Sequence, residues 1–201
     1  MTVEDLLIAS KEELPEAAVA LQPSDLPQLI ALLSEKNDNI RYQAFLALQY
    51  RSRSLDDVYP YWERFRSKLT SDNSYQRSIG LMLIAENVRW DTQGRMEATI
   101  DAFLECLNDE KPITVRQCIQ SLPIIHRYQP RLDETITARL TAIDLMKIRE
   151  TMRKPILMDA LQVLAAIRKE HPSETMDRFF TDALTGGILD AKSKKQIQAL
   201  L

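Results

Sequence analysis

Three arginines open helical stretches at a near-constant interval: Arg41, Arg77 and Arg116, 36 and 39 residues apart, with the pair Arg153–Lys154 37 residues further on. Each of the three lies between an apolar helical stripe upstream and a second one downstream. A repeat of about 35–45 residues built from two helices cannot bury its apolar face alone, so neighbouring units have to stack. This period predicts a row of helix pairs and a protein that works by surface recognition.

Composition agrees with that architecture. Only 4 Gly in 201 residues argues against a turn-dense β fold, and 9 Pro beside them fit helices started or interrupted by proline. The expected class is all-α. A net charge of −3 offers no global electrostatic attraction for nucleic acid. The charge is uneven, however: residues 1–40 carry 8 acids and 2 bases, whereas residues 41–201 carry 21 acids and 24 bases. No apolar run is long enough to span a bilayer. The opening Met1-Thr2-Val3-Glu4-Asp5 is acidic and the following Leu6-Leu7-Ile8-Ala9 is too short for a secretory leader, so the expected location is the cytoplasm.

Read along the chain, residues 3–20 predict an opening amphipathic helix, interrupted at Pro15 into two pieces. Ser24 offers an N-cap for a helix carrying Leu26, Leu29, Ile30 and Leu33, and Asn37-Asp38-Asn39 supplies capping oxygens for the next stripe of Ile40, Ala44, Ala47 and Leu48. The same form repeats around Trp62, Phe65 and Leu69, then Ile79, Met82 and Leu83. It repeats again around Ile100, Phe103 and Leu104, then Val115, Ile119 and Leu122, where Pro123 predicts an early kink or stop. A fourth, less regular pair runs from Leu132 to Ile167, its second helix begun by Pro155. Ser173 then caps a short helix stopped by Gly186-Gly187, and a basic tail closes the sequence. One continuous domain over 1–201 is expected, with units at about 24–50, 59–88, 94–126 and 132–170 and caps at 1–21 and 173–201.

The units resemble HEAT repeats of the armadillo-like α–α superhelix group. The resemblance rests on Asn37-Asp38-Asn39-Ile40-Arg41 with Ala44 and Ala47-Leu48, and on Asn108-Asp109 with Val115-Arg116 and Leu122. The second unit keeps Asp72 and Arg77 but has Gln76 in place of the aliphatic partner. The resemblance covers about residues 24–170 and implies a right-handed superhelix of four helix pairs. It also implies that Arg41, Arg77 and Arg116 pair with the turn acids of neighbouring units, Asp38, Asp72 and Asp109, as a structural ladder, the other use of these arginines being a cationic face for an acidic peptide or phosphate. Such repeats serve many unrelated tasks, so the resemblance speaks to fold more than to function.

Residues 41–77 have the most unusual composition, holding 8 of the 13 aromatics and 7 bases against 4 acids. Tyr, Trp and Arg anchor protein interfaces because they offer large area and directional donors with few torsions. Arg51, Arg53, Tyr59, Tyr61, Trp62, Arg64 and Arg66 are therefore the candidate partner-binding residues, against the alternative of an aromatic core with a solvated basic rim. Gln43, Gln76, Gln117, Gln120 and Gln162 are expected to face outward on the second helices. The predicted function is non-catalytic binding of a protein or peptide on the curved surface of successive second helices, with no cofactor and no metal.

The alternative is a DNA-processing enzyme, because the chain also resembles in size and repeat type the HEAT-like-repeat alkylpurine DNA glycosylases. That chemistry requires an Asp and tryptophans lining a DNA cleft, for which this sequence offers Trp62 beside Glu63 and Trp90 beside Asp91. Other catalysis has little support. His126 and His171 read as helix-end residues without a ligand neighbour, and Cys106 and Cys118 read as buried thiols, a dithiol pair across the third unit being the other option. Lys192, Lys194 and Lys195 read as a solvated capping helix.

Overall fold

The computed structural model describes residues 2–201. Helix covers 78% of the chain and no strand occurs among the described residues, so the class is all-α. The fold separates into two compact units, Met1–Met96 and Glu97–Leu201. The first takes in the expected pairs at 24–50 and 59–88, and the second takes in most of those at 94–126 and 132–170.

In the first unit, α1 (Val3–Ile8) and α2 (Leu14–Ala20) are the two pieces on either side of a break before Pro15. A hairpin of α3 (Leu26–Leu32) and α4 (Asp38–Ser54) follows, then a hairpin of α5 (Trp62–Arg66) and α6 (Ser74–Asn87). A 3-10 stretch, Ser67–Thr70, prolongs α5. The second helices carry the packing: α4 lies against α2, α3 and α6, and α5 lies against α6. Asn37 and Asn73 cap α4 and α6, their side-chain oxygens accepting from Asn39, Ile40 and Tyr75 backbone N–H groups. The expected Ser24 cap is not used. Residues Pro23–Asp25 form a 3-10 turn instead, because Pro27 already satisfies the N-terminal requirement of α3 without a donor to cap.

The core of this unit joins Leu29 and Leu33 to Ala44, Ala47 and Leu48, and joins Trp62 and Phe65 to Leu81, Leu83 and Ile84, all fully or almost fully buried. Small residues on α4 and Gly80 on α6 let the helices approach closely. A Cβ at Gly80 would lie 2.7 Å from the Phe65 carbonyl oxygen and 3.1 Å from the Lys68 Cβ. Burying a side chain as large as Trp62 contributes about 3 kcal/mol.

Helix α7 (Arg95–Glu105) begins at the end of the first unit and has most of its length in the second, which also contains α8 (Pro112–Tyr128), α9 (Asp133–Thr141), α10 (Glu150–Glu170), α11 (Glu174–Thr185) and α12 (Ala191–Gln198). Here α10 is the hub, packed on α8, α9, α11 and α12. Pro123 does not stop α8. It sits on the exposed face between buried Leu122 and Ile125, and the apolar stripe holds the helix on both sides of it. Pro155 likewise lies inside α10, which begins five residues earlier at Glu150. Ser173 caps α11 by accepting from the Met176 N–H, and Gly186 ends it, as expected.

The repeated arginines fold back on their own turns. Arg41 donates to the Glu35 carbonyl at 2.9 Å and to Asp38 at 2.6 Å, and Arg77 donates to the Ser71 and Asp72 carbonyls at 2.7 and 3.1 Å. Arg153 does the same with the carbonyls of Ile148 and Met146. Each guanidinium satisfies carbonyls in the turn between the two helices, groups that the preceding helix leaves orphaned. Arg116 departs from this pattern. Its guanidinium crosses to Asp159 on α10 at 2.6 Å, and hydrogen bonding to that carboxylate raises its pKa. Thus Asp38 is held by the arginine of its own turn rather than by that of a neighbouring unit, the Asp72 contact with Arg77 is through its backbone, and Arg116 takes Asp159 where Asp109 was expected.

Candidate functional site

The candidate partner residues divide by burial. Arg51, Tyr59 and Trp62 belong to the interior, which removes them from any exposed surface. The Arg51 guanidinium is 1% exposed. It forks onto Asp57 at 2.6–3.2 Å and donates to the Ala18, Val19 and Leu21 carbonyls at the end of α2. Position 51 continues the buried stripe of Ala44 and Leu48 by a helical turn, so the register of α4 drives a charge inward where it finds the helix end and an acid.

Tyr59 packs edge-on against Trp62, with ring centroids 5.8 Å apart, and its hydroxyl donates to Asp91 at 2.7 Å. Burial, reinforced by that hydrogen bond, pushes the Tyr59 pKa up to about 12. Asp91 is itself fully engaged, accepting also from the Arg95 and Met96 N–H groups at the start of α7. Burial works to raise its pKa, but these donors outweigh it and the net direction is downward. Trp90 donates its indole N–H to the Ser52 carbonyl at 2.7 Å.

Arg53, half exposed, pairs with Glu86 on α6 and stacks on Tyr50. Glu86 is buried and also accepts from Gln49 and Arg89. Arg66 pairs with Glu63 one turn away. Two of the expected residues remain on an open surface with something to bind: Tyr61 and Arg64 line a cavity of about 350 Å³ between α3 and α5. Its other walls are Pro27, Ile30 and Ala31 from α3, with Ser34, Ser67 and Lys68 at one end. At that end it shares Ser34, Ser67 and Lys68 with a second hollow of about 550 Å³, which runs over the two interhelical turns to Arg41, Tyr75 and Gln76.

Lys68 is the residue that sequence reasoning missed. Its ammonium donates to Ser34 Oγ at 3.3 Å and to Gln76 Oε1, both neutral, while Gln76 is held in place by donating to the Leu33 carbonyl at 2.8 Å. Burial lowers the Lys68 pKa from its ordinary value. Among the described residues no carboxylate lies in ion-pairing range of Lys68 or of Arg64, because Glu63 is taken by Arg66 and Asp38 by Arg41. At the far end Arg41 sits over the exposed Tyr75 ring at 5.6 Å. The signal for Lys68 was its spacing, four residues after Arg64 on the face away from Phe65 and Leu69.

The glutamines expected outside mostly stitch helices together. Gln43 donates to the Ala9 carbonyl at 2.9 Å, Gln76 to Leu33, and Gln120 to Asp159 at 3.1 Å. In the second unit the chain's two histidines, expected as separate helix-end residues, converge on one buried acid. His126 Nδ1 lies 2.9 Å from Asp133, and His171 Nε2 lies 3.7 Å from it, beside a hollow of about 530 Å³. Their separation of 45 residues hides this from any local pattern.

Both cysteines are buried. Burial raises the Cys118 pKa well above its ordinary value, and its Sγ contacts the Phe103 carbonyl at 3.4 Å, so this thiol is not poised for nucleophilic chemistry. Among the described residues no cluster of three or more His, Cys, Asp or Glu side chains is arranged to hold a metal ion. None of their helices is long and apolar enough to cross a membrane. No family model matches the chain, and no curated protein matches it either.

Proposed function

We propose that this chain is a HEAT-like helical-repeat protein of the cytoplasm that binds a protein or peptide without chemistry, and that it does so on its first unit. The observation that carries the proposal is the hollow between α3 and α5, in which two cations, Arg64 and Lys68, stand beside an aliphatic wall without a carboxylate partner. The surface offered differs from the one the repeat pattern suggested. The second helices α4 and α6 commit one face to the core, and the first helix α5 with the turn that follows it presents the donors of Arg64 and Lys68.

The engagement of Trp62, Trp90 and Asp91 inside the fold favours binding over the DNA glycosylase alternative, since all three are committed to packing or to capping a helix. Selection of peptides from a random displayed library by the folded protein, with hydrogen exchange to map protection, tests the proposal. Enriched peptides that protect residues 27–76 support it. Failure to enrich any peptide, together with retention of alkylated duplex DNA at moderate salt, would move the assignment to the enzyme.

A further inference from the structure

Arg64 and Lys68 lie one helical turn apart on the same face, where like charges repel. Lys68 is also partly withdrawn from water, and its only recorded acceptors are a hydroxyl and an amide. An ammonium has three donors, so one remains to be used, and none of the Arg64 side-chain donors has an acceptor among the described residues. An arrangement of this kind is held at a cost that a single incoming anion removes. Ser34 and Ser67 add hydroxyls at the same end of the hollow, and the α3–α5 part of it contains no acid.

Resting on the peptide-binding proposal above, we infer that this hollow takes an acidic peptide segment, with an Asp or Glu carboxylate between Lys68 and Arg64 and a neighbouring aliphatic side chain against Ile30 and Ala31. The aliphatic wall points to a peptide, because a free inorganic anion would leave Pro27, Ile30 and Ala31 uncovered. The carboxylate gains charge-assisted hydrogen bonds of the forked kind from Arg64, and Lys68 contributes a point charge already partly desolvated by the fold. Tyr61, one turn before Arg64, closes the side of the hollow and supplies a further hydroxyl.

The test uses the full chain and a short fluorescein-labelled peptide of alternating Glu, Leu and Ser, followed by fluorescence anisotropy. The expected result is saturable binding that weakens as salt rises, and about tenfold weaker binding of the Gln-for-Glu isostere, the size of one charge-assisted hydrogen bond. The double variant R64Q/K68M is expected to lose about tenfold toward the Glu peptide. R178Q, at an exposed position in the second unit, is expected to bind like the parent. Circular dichroism establishes that each variant is folded, and the single variant R64Q, fully on the surface, serves if K68M perturbs the packing near Gly80.

Equal affinity for the Glu and Gln peptides, with hydrogen-exchange protection still at residues 27–76, would overturn the acidic preference while leaving peptide binding in place. Absence of protection by any peptide would overturn both. Displacement of the peptide by phosphatidylserine vesicles or by duplex DNA at lower concentration than by unlabelled peptide would also overturn the inference.

Discussion

Replacing Arg51 by Ala is expected to be among the most damaging changes available in the first unit. The guanidinium makes six hydrogen bonds, three to Asp57 and three to carbonyls at the end of α2. Truncation removes these together and leaves an acid and three carbonyls without their donor. Loss of one member of a buried ion pair costs about 3–5 kcal/mol. The Asp57 side chain is 25% exposed, so water re-solvates part of it and the lower half of that range, about 3–4 kcal/mol, applies. With a urea dependence of about 2 kcal/mol per molar, the midpoint for the first unit falls by roughly 1.5–2 M. Arg51→Lys keeps the charge but reaches either Asp57 or the helix end, not both, and is expected to lose about 2 kcal/mol. Adding Asp57→Ala to Arg51→Ala should recover part of the loss by removing the orphaned acid. Urea unfolding followed by circular dichroism measures all four proteins. A loss below about 1 kcal/mol for R51A would show that the buried guanidinium does not hold α2 to α4, and the reasoning would be wrong.

Tyr59 should ionise well above the ordinary tyrosine value. Its raised pKa means that the folded state holds the proton more tightly than the unfolded chain. The stabilisation is therefore complete below the ordinary value of about 10 and is lost as pH climbs toward about 12. The stability difference between the parent and Tyr59→Phe, measured by urea titration across that window, should shrink with pH, and a constant difference would contradict this. Gly80→Ala forces a methyl group against the Phe65 backbone carbonyl, which cannot yield as a side chain would. A loss of about 1–3 kcal/mol is expected in urea, with altered exchange around Lys68, whereas a neutral result would mean that α5 and α6 move apart freely. Glu86→Ala strips the shared acceptor from Gln49, Arg53 and Arg89. A loss of about 2–3 kcal/mol is expected, smaller than for Arg51 because both arginines reach solvent, and an unchanged midpoint would refute the network.

The helices were readable because their periodic stripes and caps act over a few residues: Asn37 and Ser173 cap where their position implies, and Gly186 ends α11. Proline misled, because its effect depends on which face it occupies. Pro123 and Pro155 sit inside helices held by buried neighbours on either side. In the candidate site, Tyr61 and Arg64 were legible as members of an aromatic and basic segment, Tyr61 half-buried and Arg64 exposed. Arg51 was not, since composition counts it as a surface charge, although its place one turn after Leu48 already aligned it with the core. Trp62 had the same warning, sharing a stripe with Phe65 and Leu69. The neutral partners that Lys68 finds in Ser34 and Gln76, and the meeting of His126 and His171 at Asp133, depend on segments distant in sequence, where no periodicity carries information.

The arginine clasps set a length limit on the links they close. Arg41 and Arg77 each grasp a carbonyl six positions earlier, a span matched to the reach of one side chain. An inserted residue at either bend would carry the carbonyl out of range and open the pair, so these bends have to keep their residue count. Variation in chain length has to accumulate elsewhere, in the joints between pairs. The spacing of the arginines is thus a ruler built into the chain, and it measures bends rather than partners.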